Sequence, residues 1–184
     1  MRILIHICCA PCALMPVKYL RSQGHDVMGY FYNPNIHPYT ENQKRLDTVR
    51  QWADNAGLKL IVHDEYDPES WLRNVAFREE MRCRLCFLGR LDRAASVAAK
   101  GGFDAFTTTL LYSTMQKHQL LKQSGQDAGR KRGAEFWYHD FRPMWKEGVQ
   151  LSLKLGLYRQ QYCGCIFSER DRYLGAPQKN RRSK

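Results

Sequence analysis

Seven cysteines fall into three groups, Cys8 and Cys9 with Cys12, Cys83 with Cys86, and Cys163 with Cys165, and none stands alone. Cys9 to Cys12 and Cys83 to Cys86 are both C-x-x-C, a spacing that lets two thiolates converge on one metal centre. Two such pairs supply enough sulfur for a structural zinc or an iron–sulfur cluster. A closed zinc site has no use for the further sulfur of Cys8, whereas a redox site has. Cys163-Gly164-Cys165 is a different device. With one intervening residue any disulfide is strained and readily reduced, and the glycine permits the tight turn. The same pair also suits two buried thiols or two more metal ligands. For the whole set, a structural zinc on an RNA-binding module and a thioredoxin-like fold opening at Cys9-Ala10-Pro11-Cys12 stay open as alternatives.

The elements that must position these sulfurs follow from apolar patterning. Ile3 to Ile7, Val27 to Tyr32, Leu58 to Val62 and Phe103 to Phe106 read as buried strands, separated by segments of helical length. That alternation predicts an α/β fold, a mostly parallel sheet with helices on both faces. The first cysteines then sit where the first strand hands over to a helix over Ala13 to Gln23, the end of such a sheet at which ligands bind. Thr40 is expected to cap the second helix, with Glu41 in its first turn and an end near Gly57. The helix after Cys83 places Leu85, Leu88, Leu91, Ala95 and Ala98 on one stripe and stops at Gly101-Gly102, which puts Cys83 and Cys86 at a helix N-terminus that favours thiolates. Residues 149–157 alternate like a strand, yet their composition suits a helix equally.

The chain of 184 residues is expected to form one domain over 1–176, followed by a basic tail over 177–184 that is either disordered or a nucleic-acid arm. Its formal charge of +11, from 29 Lys and Arg against 18 Asp and Glu, favours a polyanionic partner. Gly129-Arg130-Lys131-Arg132-Gly133 is a candidate for that contact within the folded part, or a solvated surface loop. Neither an export signal nor a membrane-spanning stretch is expected, which predicts a soluble, cytoplasmic protein in which clustered cysteines bind metal or do redox chemistry.

His6-Ile7-Cys8-Cys9-Ala10-Pro11-Cys12, Phe31-Tyr32-Asn33-Pro34-Asn35-Ile36-His37-Pro38, Arg82-Cys83-Arg84-Leu85-Cys86, Thr107 to Ser113 and Leu157 to Cys165 together resemble the motifs of the cobalamin-independent epoxyqueuosine reductases, the QueH family. The resemblance runs from the first strand to about Ser168. It implies an adenine-nucleotide-hydrolase-like, Rossmann-like fold and an enzyme that removes the epoxide oxygen of epoxyqueuosine in tRNA, the last step towards queuosine, without cobalamin. It further implies a 4Fe–4S cluster on Cys8, Cys9, Cys83 and Cys86, with Cys163 and Cys165 as a redox-active disulfide. That ligand set replaces Cys12, which spacing alone pairs with Cys9.

Turning an epoxide into an alkene and water takes two electrons and two protons, whereas a 4Fe–4S cluster passes one electron at a time. The Cys163 and Cys165 dithiol would hold the pair, with an external electron donor behind it. A second, mononuclear iron acting as a Lewis acid on the oxygen, with Cys12 as a ligand, is the further expectation. His37, in a proline-held loop, is a candidate for proton transfer or substrate contact, or simply part of the loop's architecture. His6 is either a satisfied core histidine or a second proton source. Asn33, Asn35, Glu41, Ser113, Asp140 and Arg142 are weaker contact candidates, and Tyr32, Tyr39, Tyr112 and Tyr158 could stack on an unpaired base. Arg130, Lys131 and Arg132 would hold tRNA phosphates. A tRNA sulfur-transfer enzyme, the competing activity, should carry a glycine-rich nucleotide loop after its first strand, and cysteines occupy that place.

Overall fold

The computed structural model describes residues 1–175, so the basic segment 177–184 lies outside the described residues. Strand β1 (Arg2–Ile7) is buried from Ile3 onward on both faces, which requires neighbours on both edges and helices above and below. It receives β2 (Asp26–Tyr32) on one side and β4 (Ala105–Thr108) on the other. Strands β3 (Leu60–His63) and β5 (Glu135–Phe136) complete a five-stranded, all-parallel sheet in the order β3-β2-β1-β4-β5. The short β5 gives no signal in the sequence because two residues carry no periodicity.

Two cores sandwich this sheet. On one face Ile3, Ile5 and Ile7 meet Ala13, Val17 and Leu20 of α1 (Ala10–Ser22) and Leu46, Val49 and Trp52 of α2 (Tyr39–Asn55). On the other, Leu4, Tyr30 and Phe106 meet Leu91, Ala95 and Ala98 of α4 (Arg82–Lys100) and Leu121 and Ala128 of α5 (His118–Arg132). A short α3 (Pro68–Val75) precedes α4, and α6 (Trp145–Lys154) and α7 (Ile166–Tyr173) follow β5. Among the described residues no helix is long and apolar enough to cross a membrane.

Two local expectations are corrected and one open alternative is decided. Helix α1 starts at Ala10 rather than Ala13, because Pro11 occupies a first-turn position whose N–H has no helical partner anyway. Cys9 thereby becomes the cap and Cys12 a first-turn residue. Pro38, not Thr40, precedes the first residue of α2, with Glu41 in the first turn as expected. The alternating residues 149–157 are mostly helical: α6 turns Gly148 and Ser152, one turn apart, inward and leaves Leu153 and Leu155 exposed. A Cβ on Gly148 would fall 2.9 Å from Met15 Cγ of α1, so close packing, not leucine periodicity, sets that face.

The same logic applies where α5 meets β5. A Cβ on Gly129 would stand 2.6 Å from the Ala134 carbonyl oxygen, and backbone cannot step aside cheaply. Gly129→Ala is expected to destabilise the fold by about 1–3 kcal/mol despite its better helix propensity, read as a lower denaturant midpoint with an unchanged slope.

Candidate metal and redox centre

At the carboxyl end of β1 the chain delivers three sulfurs into one buried space. Cys8 directly follows the strand, Cys9 caps α1 in extended backbone, and Cys12 follows one turn later, so their Sγ atoms all lie within 4.8 Å of one another. Cys8 Sγ is 3.8 Å from Cys9 Sγ and 3.4 Å from Thr109 Oγ1, and the Cys8 amide donates to that same hydroxyl at 3.2 Å. Thr109 stands just past β4, so the group bridges the two strands between which the strand order reverses. Hydrogen bonds from Cys12 and Cys9 hold the Cys8 thiol well below the usual thiol range. Cys12, placed to donate to it, is correspondingly raised, and burial raises Cys9. An all-thiol, buried donor set of this kind suits zinc or iron–sulfur chemistry.

The second pair opens α4. Cys83 and Cys86 are half-buried and pack against the same core that holds Cys8, Cys9 and Cys12. Burial pushes the Cys86 thiol up to about 11, against the pull of Arg90, and Cys163 and Cys165 are among the groups acting on it. Burial also raises Cys83, which senses Lys117, Arg82 and Cys165.

Residues 158–165 form a strap over this region. Buried Arg45 donates from Nη1 to the Cys163 carbonyl at 2.8 Å and from Nη2 to the Tyr162 carbonyl at 3.0 Å. The His37 amide donates to the Gly164 carbonyl at 2.8 Å, and the Tyr162 hydroxyl donates to the His37 carbonyl at 2.5 Å. Gly164 has φ +150°, and a Cβ there would lie 3.0 Å from Ile36 Cγ1, which accounts for the glycine between the two cysteines. From the strap Gln160 Nε2 donates to Cys9 Sγ at 3.1 Å, and from the loop after β4 Gln116 Nε2 donates to Cys163 Sγ at 3.2 Å. Cys163 is exposed, and it and Cys165 stand as separate thiols.

A family model described as epoxyqueuosine reductase QueH matches residues 3–171 of this sequence. The chain belongs to that family. It is accordingly an oxidoreductase. An epoxyqueuosine reductase QueH of Dehalococcoides mccartyi is 39% identical over 172 residues, covering 94% of each chain. The QueH of Thermotoga maritima is 37% identical over 176 residues, covering 90% of this chain and 89% of its own. Among solved structures, a predicted subunit of tRNA methyltransferase from Methanocaldococcus jannaschii superposes with a TM-score of 0.59 at 11% identity, over 83% of this chain and 74% of its own. That likeness is one of fold.

Other residues singled out in this QueH chain have identifiable places. His6 is fully buried in β1, its Nε2 against the Tyr32 carbonyl at 3.1 Å and its Nδ1 against Thr108 Oγ1 at 2.9 Å. A carbonyl can only accept, so Nε2 carries the proton, Thr108 donates to Nδ1, and the ring ties β1 to both neighbours. Burial, with Arg90, pushes its pKa down to about 4, which suits a neutral, fully bonded core histidine. His37 is buried with Nδ1 at 3.4 Å from the Tyr66 hydroxyl and Nε2 without a partner among the described residues, and burial and Arg90 lower its pKa. Asn33 Nδ2 donates to the Ile7 carbonyl, and Ser113 Oγ accepts from the Met115 amide. Asp140 and Arg142 pair with each other. Tyr112 is buried, Tyr32 stacks on Tyr30, Tyr158 bonds Glu41, and Tyr39 is the exposed ring of the four.

The run Arg130 to Arg132 is the last turn of α5, not a loop. Arg130 pairs with Asp127, and Lys131 and Arg132 with Asp92. Because α5 leaves the carboxyl end of β4 and returns to the start of β5, this turn lies ~20 Å of helix away from the cysteine edge. Sequence reasoning missed Arg45, Gln160 and Gln116, and also Arg90 of α4, which is buried with Nε and Nη2 on Asn35 Oδ1 at 2.9 and 2.7 Å.

Thr109 offers the most direct check of this geometry. Thr109→Val keeps the shape but leaves the buried Cys8 amide without an acceptor, and is expected to cost about 1–3 kcal/mol in denaturant titration.

Proposed function

We propose that this enzyme reduces the epoxide of epoxyqueuosine in tRNA to the cyclopentene of queuosine, working in the cytoplasm. The observation that carries this reading is the trio Cys8, Cys9 and Cys12, buried together at the sheet's switch point in a chain whose residues 3–171 match the QueH family. In this reading Cys8, Cys9, Cys83 and Cys86 hold a 4Fe–4S cluster, and Cys12 is offered to a second, mononuclear iron. The all-sulfur donor set, buried at Cys8 and Cys9 and half-buried at Cys83 and Cys86, suits such a group. When bound, the cluster supplies one-electron transfer, and no cobalamin is required.

The remaining chemistry belongs to side chains. Oxidation of the Cys163 and Cys165 thiols forms one Sγ–Sγ bond and releases two electrons and two protons, which matches what the epoxide takes up in losing its oxygen as water. An external electron carrier returns the disulfide to the dithiol. His37 is assigned to substrate contact or proton transfer because its buried Nε2 has no partner among the described residues, with burial and Arg90 favouring the neutral ring. Phosphates are assigned to exposed Lys117 and Arg84, which flank Cys83 in space or sequence, whereas Arg130, Lys131 and Arg132 are left to their acidic partners.

Anaerobic protein incubated with epoxyqueuosine tRNA and a strong reductant should convert the modified nucleoside to one lighter by a single oxygen, seen by mass analysis. Its visible absorbance should bleach on reduction. A colourless protein with one zinc per chain and unchanged nucleoside would sink the reading. Cys163→Ser and Cys165→Ser should retain iron but lose multiple turnover, and full activity with only four irons in Cys12→Ala would remove the second iron. For binding, Lys117→Ala with Arg84→Ala should shallow the dependence of log K on log salt by roughly 0.7–0.9 for each phosphate that is no longer neutralised. Replacing Arg130 to Arg132 should leave that slope unchanged.

A further inference from the structure

We infer that Arg45 is the positioning residue that holds the strap 158–165 across the cysteine pocket and so biases Cys163 and Cys165 towards their dithiol form. This rests on the reading of those two thiols as the electron store. Arg45 has a side chain only 1% exposed, in the middle of a charged network that no surface role requires. One helical turn earlier on α2, Glu41 Oε1 accepts from Arg45 Nε at 2.7 Å, and Glu41 Oε2 accepts from the Tyr158 hydroxyl. The two terminal nitrogens reach the Tyr162 and Cys163 carbonyls. Both ends of the strap are thus tied to one ion pair, Tyr158 through Glu41 and Cys163 through Arg45.

The guanidinium fork is what makes this possible. It presents donors in fixed directions to three acceptors at once, whereas a lysine ammonium on a flexible stem is a point charge. The seat is close: a Cβ on Gly164 would come within 3.3 Å of Arg45 Nη1. Between the tied ends lies Gln160, whose amide reaches Cys9, so the same hold that places the dithiol also places an N–H on a cysteine of the buried trio. The strap conformation that Arg45 bonds is the one in which the two thiols are separate, and those bonds favour the reduced pair.

The test equilibrates anaerobic enzyme in glutathione buffers of graded ratio, traps thiols by alkylation and reads the Cys163–Cys165 couple by mass. Arg45→Lys and Arg45→Met should shift the equilibrium towards disulfide by about tenfold, the size of one charge-assisted hydrogen bond. Tyr158→Phe, which leaves the ion pair intact, should shift it the same way by less. Iron content should hold in Arg45→Lys, with kcat lowered and KM for the tRNA unchanged. A purely structural role would lower melting temperature without moving the thiol equilibrium. Wild-type equilibria in both Arg45→Lys and Tyr158→Phe overturn the assignment. Full turnover in Cys163→Ser overturns the electron-store reading instead, and the shift measured on the thiols remains a separate result.

Discussion

In a parallel sheet the chain must leave the carboxyl end of every strand, and at β1 the departures part company. Helix α1 after β1 covers one face, whereas the connection after β4 enters α5 on the other. The backbones diverge there and leave a crevice between them. Buried sulfur is costly to ionise in an apolar interior, yet sulfur must be ionised to hold a metal. The crevice reconciles the two demands, because it lies deep enough to exclude water yet is walled by strand ends and a helix N-terminus carrying free N–H groups. Cys8, Cys9 and Cys12 use it directly, with the Cys8 amide and thiol both answered by one hydroxyl from the β4 side.

Keeping such a pocket ordered requires polar groups that are themselves satisfied, and the structure provides them in tiers. His6 ties β1 to β2 and β4 through both ring nitrogens. Asn33 joins the loop after β2 to the last residue of β1, and Asn35 receives two donors from Arg90 of α4. Arg45 and Glu41 then carry the strap. A buried ion pair contributes little net stability, since desolvation offsets its attraction, but removing one member leaves the other stranded. Arg45 and Glu41 are better explained by what they hold in place than by any gain in folding energy.

Much of the sheet was legible because buried parallel strands write themselves as apolar runs: β1, β2 and β4 fall within a residue or two of Ile3–Ile7, Val27–Tyr32 and Phe103–Phe106. The cysteine groups were legible for the opposite reason, since such residues have few structural reasons to cluster. What escaped was long-range and depended on burial. Glu41 and Arg45 at i and i+4 look in sequence like one more exposed helix pair, and only the placement of α2 under the strap turns them inward. Gln116 and Gln160 carry no signal at all, because a glutamine amide on a loop is ordinary until a sulfur faces it. The basic run is ambiguous for a related reason: three cations in a row suggest a phosphate site, and in the last turn of α5 the same Lys and Arg also answer the helix dipole and the carboxylates of Asp92 and Asp127.

The excess of 29 cations over 18 acids is therefore not a measure of how much tRNA surface this enzyme grips. Arg45 and Arg90 are held inside, where their fields fall on Cys9, Cys86, Cys163 and His6. Arg142 is paired with Asp140, and Arg82 with Asp171 at 2.5 Å. A polyanion that must bring one base to buried sulfurs gains most from charge at the mouth, where an attraction acts within a Debye length of the reacting group, and gains least from charge on the far edge of the sheet. Lys117 and Arg84 are the exposed cations that act on or adjoin Cys83, whereas the last turn of α5 lies at the opposite end of the sheet. The positions of cations relative to the switch point, rather than their number, decide which of them can orient a substrate.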